Sequence, residues 1–95
     1  MGMIPKSGIE MIAEERQRQV AIKVFTPEHD DTHTAEELAQ AAAFYADPSG
    51  KAEFPTTWNK RWNKKDTHNR IRQLTIAGAL CAAEIDRLVR TKLKK

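Results

Sequence analysis

Two histidines and three carboxylates fall within the six residues Glu28-His-Asp-Asp-Thr-His33. Groups of these types hold metals or hydrogen-bond polar ligands, and so dense a set is hard to explain by packing alone. His29 and His33 stand four apart, a spacing that on a helix would aim both imidazoles at one zinc ion. The stretch reads instead as a loop, since Pro27 ends one helix and a capping pattern opens the next at Thr34. A loop of this composition suits a hard cation, with His29, Asp30, His33 and nearby Glu37 as the ligands. The same acidic residues suit a plainer purpose, which is to place negative charge ahead of a helix N-terminus.

A second set of carboxylates, Glu14, Glu15, Glu37, Glu84 and Asp86, lies on expected helices. All-helical nucleotide pyrophosphatases hold magnesium with a Glu-Glu-x-x-Glu element paired with Glu-x-x-Asp. Here Arg18 stands where the third glutamate belongs, and Glu84-Ile85-Asp86 is too closely spaced. A divalent-metal nucleotide phosphohydrolase using Asp30, Asp31, Glu37 and Glu84 is therefore an alternative without its motif. Glu84 and Arg87 fit an ordinary helix-surface pair equally well. Cys81 falls on an apolar stripe, where it reads as a small core residue rather than a nucleophile. No catalytic residue is assigned, and a non-enzymatic protein is expected.

Three helices would position these groups. Ser7-Gly-Ile-Glu10 is a capping box that opens a helix over 8–24, with Ile9, Ile12, Ala13, Arg16 and Val20 on one face. Arg16 sits on that apolar stripe and calls for a carboxylate partner. Thr34-Ala-Glu-Glu37 opens a second helix over 35–46, whose apolar positions are Leu38, Ala41, Ala42 and Tyr45. The third, over 67–93, carries Ile71, Leu74, Gly78, Cys81, Ile85 and Leu88 at spacings of three and four. Asp47-Pro-Ser-Gly50 is turn chemistry. The connection of about 20 residues before the third helix holds Phe54, Trp58 and Trp62, and a stretch this long inside a compact domain tends to be functional. The fold class expected is all-α: one compact three-helix domain over 1–95, with a long ordered aromatic loop between the second and third helices.

Charge is unevenly spread within the net +3: residues 1–53 hold ten acidic and five basic side chains, residues 54–95 three acidic and eleven basic. Lys60, Arg61, Lys64, Lys65, Arg70 and Arg72 interleave with Trp58 and Trp62, a mixture suited to phosphate contact and base stacking. A nucleic-acid-binding protein using the basic C-terminal half is thus a further alternative, although no helix-turn-helix or zinc-finger pattern is present. No apolar run nears the roughly 20 residues that span a bilayer, and Met1–Lys6 lacks the apolar stretch of a signal peptide. With one cysteine, the chain fits a reducing compartment, so a cytoplasmic setting and no membrane partner are expected.

Four stretches together resemble a family of small proteins encoded by tailed phages and prophages: Ile12-Ala-Glu-Glu-Arg-Gln-Arg-Gln19, Thr26-Pro-Glu-His-Asp-Asp-Thr-His33, Glu37-Leu-Ala-Gln-Ala-Ala-Ala-Phe-Tyr-Ala46 and Ala77-Gly-Ala-Leu-Cys-Ala-Ala-Glu-Ile-Asp-Arg-Leu88. Where that family carries Glu-Gly-Trp before the Thr-Pro element, this chain has Lys23-Val-Phe25. A looser similarity links it to the bacterial and phage ryanodine-receptor-repeat domains. The resemblances imply a bacterial host cell and a small domain that holds a nucleotide-derived ligand or inhibits a host defence component. The ligand-binding set expected is Arg16, Phe25, His29, Asp30, Asp31, His33, Tyr45, Trp58 and Trp62, with Arg16 meeting phosphate or a carboxylate and an indole stacking on a ring. No cofactor is assigned. Expected partners are a nucleotide-type small molecule or a host protein, with nucleic acid as the alternative. The small-sided third helix also permits a homodimer through Gly78 and its neighbours.

Overall fold

The computed structural model describes residues 5–21 and 36–93. Helix α1, Gly8–Ala21, opens as its sequence requires: Ser7 Oγ accepts from the Glu10 N–H and Glu10 Oε1 from the Ser7 N–H, both at 3.1 Å. Helix α2, Glu37–Ala46, follows Glu36, whose φ of 61° lies in the left-handed region and whose side chain makes no cap. Thr34 and Ala35 of the expected second capping box fall outside the described residues. Two 3-10 turns, Lys60–Trp62 and Lys65–Thr67, precede helix α3, Arg70–Leu93. The third helix therefore starts at Arg70 rather than near Thr67, because Asn69 Oδ1 accepts from the Arg72 N–H at 2.9 Å and caps it there. The described residues are all helix and loop.

The core lies between α2 and α3. Leu38, Ala41, Ala42 and Tyr45 of α2 are buried, as their spacing predicts, against Ile76, Ala77, Leu80 and Ala83 of α3. Trp58 closes one end of this cluster, with Phe44, Ala46 and Phe54 packed against it. Alanines face alanines across the contact, which lets the two backbones approach closely.

Two expected core faces are corrected. On α3 the stripe Ile71, Leu74, Cys81, Ile85, Leu88 points to solvent, and Cys81 is exposed. The core takes the opposite face, Ile76, Ala77, Leu80 and Ala83, because the alanine-rich α2 leaves room only for small side chains and two larger ones. On α1, Ile9 is 82 % exposed and Ala13 and Val20 are also exposed, while Glu15 and Gln19 are buried. Here a tight contact and an ion pair decide the orientation. A Cβ added at Gly78 would stand 2.7 Å from Ile12 Cγ1 and closer still to its Cδ1, so Ile12 seats where only glycine fits. Beside it Arg72 reaches Glu15 at 2.5 Å. Glu15 is thus held by Arg18 and Arg72, and Arg16, on the same helix, is half-buried.

Candidate functional site

Segment 47–69 is built as one ordered unit. The Asp47 carboxylate accepts from the Ser49 N–H at 2.8 Å, the Ser49 hydroxyl at 2.7 Å and the Ala52 N–H at 2.6 Å. These hydrogen bonds, that of the Ser49 hydroxyl foremost, hold the Asp47 carboxyl down at about 2. Gly50, at φ 75°, completes the turn in a conformation that glycine adopts freely. Four rings then meet edge to face in sequence: Phe44 with Phe54 at 5.3 Å, Phe54 with Trp58 at 5.7 Å, and Trp58 with Trp62 at 5.6 Å between centroids. Each such pair adds about 0.5–1.5 kcal/mol beyond its buried area. The two indoles therefore share an ordered loop with a helical turn between them, as their spacing predicts.

Tyr45 pins this loop to α2. Its hydroxyl donates to the Trp62 carbonyl at 3.2 Å and accepts from the Lys64 N–H at 3.0 Å. Burial pushes the Tyr45 phenol up from its ordinary value, against the Lys64 hydrogen bond. A phenol raised on folding stabilises the protein below its unfolded pKa of about 10 and loses that contribution as pH rises through the folded value. Tyr45→Phe is expected to cost about 1–2 kcal/mol, since it strands one N–H and one carbonyl. Thermal melts check the cost. Tryptophan fluorescence of the wild type should change above about pH 10, with a smaller change in the variant.

The loop's cations divide into two groups. Lys65 Nζ donates to the Asp47 carbonyl at 2.8 Å and sits 4.8 Å over the Phe44 ring. Arg70 donates to the carbonyls of Tyr45, at 3.3 Å, and Ala46. Both neutralise the negative end of α2, where carbonyls lack helical partners. Arg72 is taken by Glu15, which also accepts from Arg18 at 2.9 Å through two nitrogens and from Gln19 at 3.3 Å. Burial raises the Glu15 carboxyl, but the hydrogen bonds from Arg18 and Arg72 outweigh it, so its pKa lies below the ordinary value. Lys60, Arg61 and Lys64 are exposed and make no ion pair with the described residues.

Against the outer side of the ring series lies a recess of about 530 Å³ lined by Phe54, Pro55, Thr56, Trp58, Lys60 and Asn63. Its walls offer aromatic surface, one ammonium and one carboxamide, a set that can hold a flat ring and an anionic group together. Trp62, 40 % exposed, stands beside Trp58. Of the ligand set expected from sequence, Tyr45, Trp58 and Trp62 are brought together. Tyr45 and Trp58 mainly build the loop, since both are buried and the tyrosine hydroxyl is engaged. Arg16 lies on α1 and does not line the recess. Phe25, His29, Asp30, Asp31 and His33 fall outside the described residues. Sequence reasoning placed Lys60 only among the phosphate contacts of the nucleic-acid alternative and did not single out Phe54 or Asn63, although Phe54, Trp58 and Trp62 recur at intervals of four, a signal that could have joined them.

The carboxylates of the metal-dependent alternative are dispersed where they are described. Glu37 is buried at the start of α2, and Glu84 is buried against Arg87, with Oε1 2.6 Å from Nε and Oε2 3.0 Å from the terminal nitrogen. The Glu84–Arg87 pair is therefore a buried one, not the surface pair its spacing suggested. Among the described residues no three His, Cys, Asp or Glu side chains converge on a point that could hold a metal ion. No described helix is long and apolar enough to cross a membrane. Comparison of the chain with family models, curated proteins and solved structures gave no match.

Proposed function

We propose that this is a phage or prophage accessory protein that binds a nucleotide-type ligand without turning it over, at the recess beside the aromatic loop. One observation carries the reading: the half-buried Phe54 ring, Lys60 and Asn63 line one recess of nucleotide size, with Trp58, itself buried, packed edge to face against Phe54. The base would lie against the aromatic wall, the Asn63 amide would meet its polar edge, and Lys60 would meet phosphate. Binding of this kind suits an inhibitor that sequesters a ligand of a host defence component, which is the setting the phage-family resemblance implies. The test is titration with adenosine diphosphate followed by tryptophan fluorescence and calorimetry. Saturable binding is expected, weakened about tenfold in Lys60→Ala, the equivalent of 1.4 kcal/mol for one charge-assisted contact. Absence of saturation, or an unchanged affinity in Lys60→Ala, would sink the reading.

A second reading, single-stranded nucleic acid, is favoured by Lys60, Arg61 and Lys64 standing exposed around the half-open Trp62. In that case affinity for an oligonucleotide would fall steeply with salt, and the slope would shrink when Arg61 and Lys64 are replaced.

A further inference from the structure

The polar side chains around the recess beside the aromatic loop are one-sided in what they offer. Phe54, Pro55, Thr56, Trp58, Lys60 and Asn63 line it, and none of them is acidic. Lys60 carries an ammonium, which donates only. A carboxamide can both donate and accept, but the Asn63 Oδ1 already accepts from the Lys65 N–H at 3.1 Å. What this side chain has left for the recess is its NH2 group. The Thr56 hydroxyl serves either way and discriminates nothing.

The Asn63 amide is held in that sense by the chain around Lys65. The Lys65 ammonium donates to the Asp47 carbonyl at 2.8 Å, and the Lys65 carbonyl accepts from Gln73 at 3.1 Å. Just before it, the Lys64 N–H donates to the Tyr45 hydroxyl at 3.0 Å. The Lys65 N–H therefore has a fixed direction. Turning the Asn63 amide over would lose its hydrogen bond and set two donors face to face. An asparagine with both ends available pairs with adenine, accepting from the amino group and donating to a ring nitrogen. With its oxygen committed, Asn63 cannot do this. We propose that the recess prefers bases with a carbonyl oxygen on the edge it reads, as in uracil and guanine, to bases with an amino group there. The inference rests on the nucleotide reading of this recess and names the class of base within it. Asn63 is the specificity-determining residue, donating to the base carbonyl, while Lys60 meets phosphate whichever base is bound.

Uridine diphosphate and cytidine diphosphate make the test, because one ring carbon carries a carbonyl in the first and an amino group in the second. Calorimetric titration of the full chain is expected to show uridine diphosphate bound about tenfold more tightly, the effect of one hydrogen bond gained against one donor stranded. In Asn63→Asp one carboxylate oxygen still accepts from the Lys65 N–H, and the remaining group changes from donor to acceptor. The added charge bears on both diphosphates alike, so the ratio of affinities is the readout. That ratio should reverse in favour of cytidine diphosphate, with circular dichroism checking that the variant folds. Equal affinities in the wild type overturn the selectivity and leave the nucleotide reading standing, and that is the result if Asn63 meets phosphate instead of base. A preference for uridine diphosphate that persists in Asn63→Asp overturns the role of Asn63. If neither of these nor adenosine diphosphate binds, the nucleotide reading falls and the selectivity with it. Should the variant not fold, the wild-type ratio decides alone.

Discussion

Arg87→Ala is expected to destabilise the protein by about 3–5 kcal/mol, the cost of leaving one member of a buried ion pair alone. Arg87 and Glu84 are each only 5 % exposed, and they face one another through two short hydrogen bonds on consecutive turns of α3. Truncating the arginine leaves a carboxylate facing the α2–α3 packing with neither water nor a cation to solvate it. Since a domain of this size is stable by about 5–15 kcal/mol, such a loss is a large part of the whole. Thermal or urea denaturation will measure it. The double substitution Glu84→Leu with Arg87→Met supplies the control, because removing both charges together is expected to be near neutral or stabilising. If Arg87→Ala melted like the wild type, the pair would be irrelevant to stability.

Glu15→Ala is the second large effect, about 2–3 kcal/mol. It removes a carboxylate that is 2 % exposed and strands the two cations arranged on it. The cost is set below that of the Arg87 pair because Arg18 and Arg72 are each about one-third exposed, so water partly solvates them once the carboxylate is gone. The same site gives an acid dependence. The folded Glu15 pKa is depressed, so its contribution is complete above the unfolded value of about 4.3 and is lost as pH falls through the lower folded value. Asp47 acts in the same sense, between about 4 and its folded value of about 2. Stability should therefore decline below about pH 4, and Glu15→Ala should show a flatter decline than the wild type in melts taken across that range.

What could be read from the sequence depended on how many faces a segment offered. Helix α2 has one apolar face, and Leu38, Ala41, Ala42 and Tyr45 all lie in the core as their spacing predicts. Helix α3 has two. The larger residues of Ile71–Leu88 pointed to one, but the core uses Ile76, Ala77, Leu80 and Ala83, because closeness to an alanine-rich neighbour favours small side chains. Spacing alone cannot rank two stripes of similar period. The capping box at Ser7 was legible because it is local. The roles of Lys65 and Arg70 were not, since their acceptors are carbonyls of a helix some twenty residues earlier. The aromatic loop was visible as a composition, and its recess emerges only when Lys60 and Asn63 are folded beside Phe54 and Trp58.

The core cluster draws its buried residues from Leu38 through Ala83 and takes none from α1. Among the described residues, α1 is joined to the rest chiefly by the seat of Ile12 on Gly78 and by Glu15 with Arg72. The core cluster and the docking of α1 therefore rest on different sets of contacts. A substitution at Ile12 or Glu15 consequently acts on the docking equilibrium of one helix, whereas one at Leu38 or Leu80 acts on the existence of the fold.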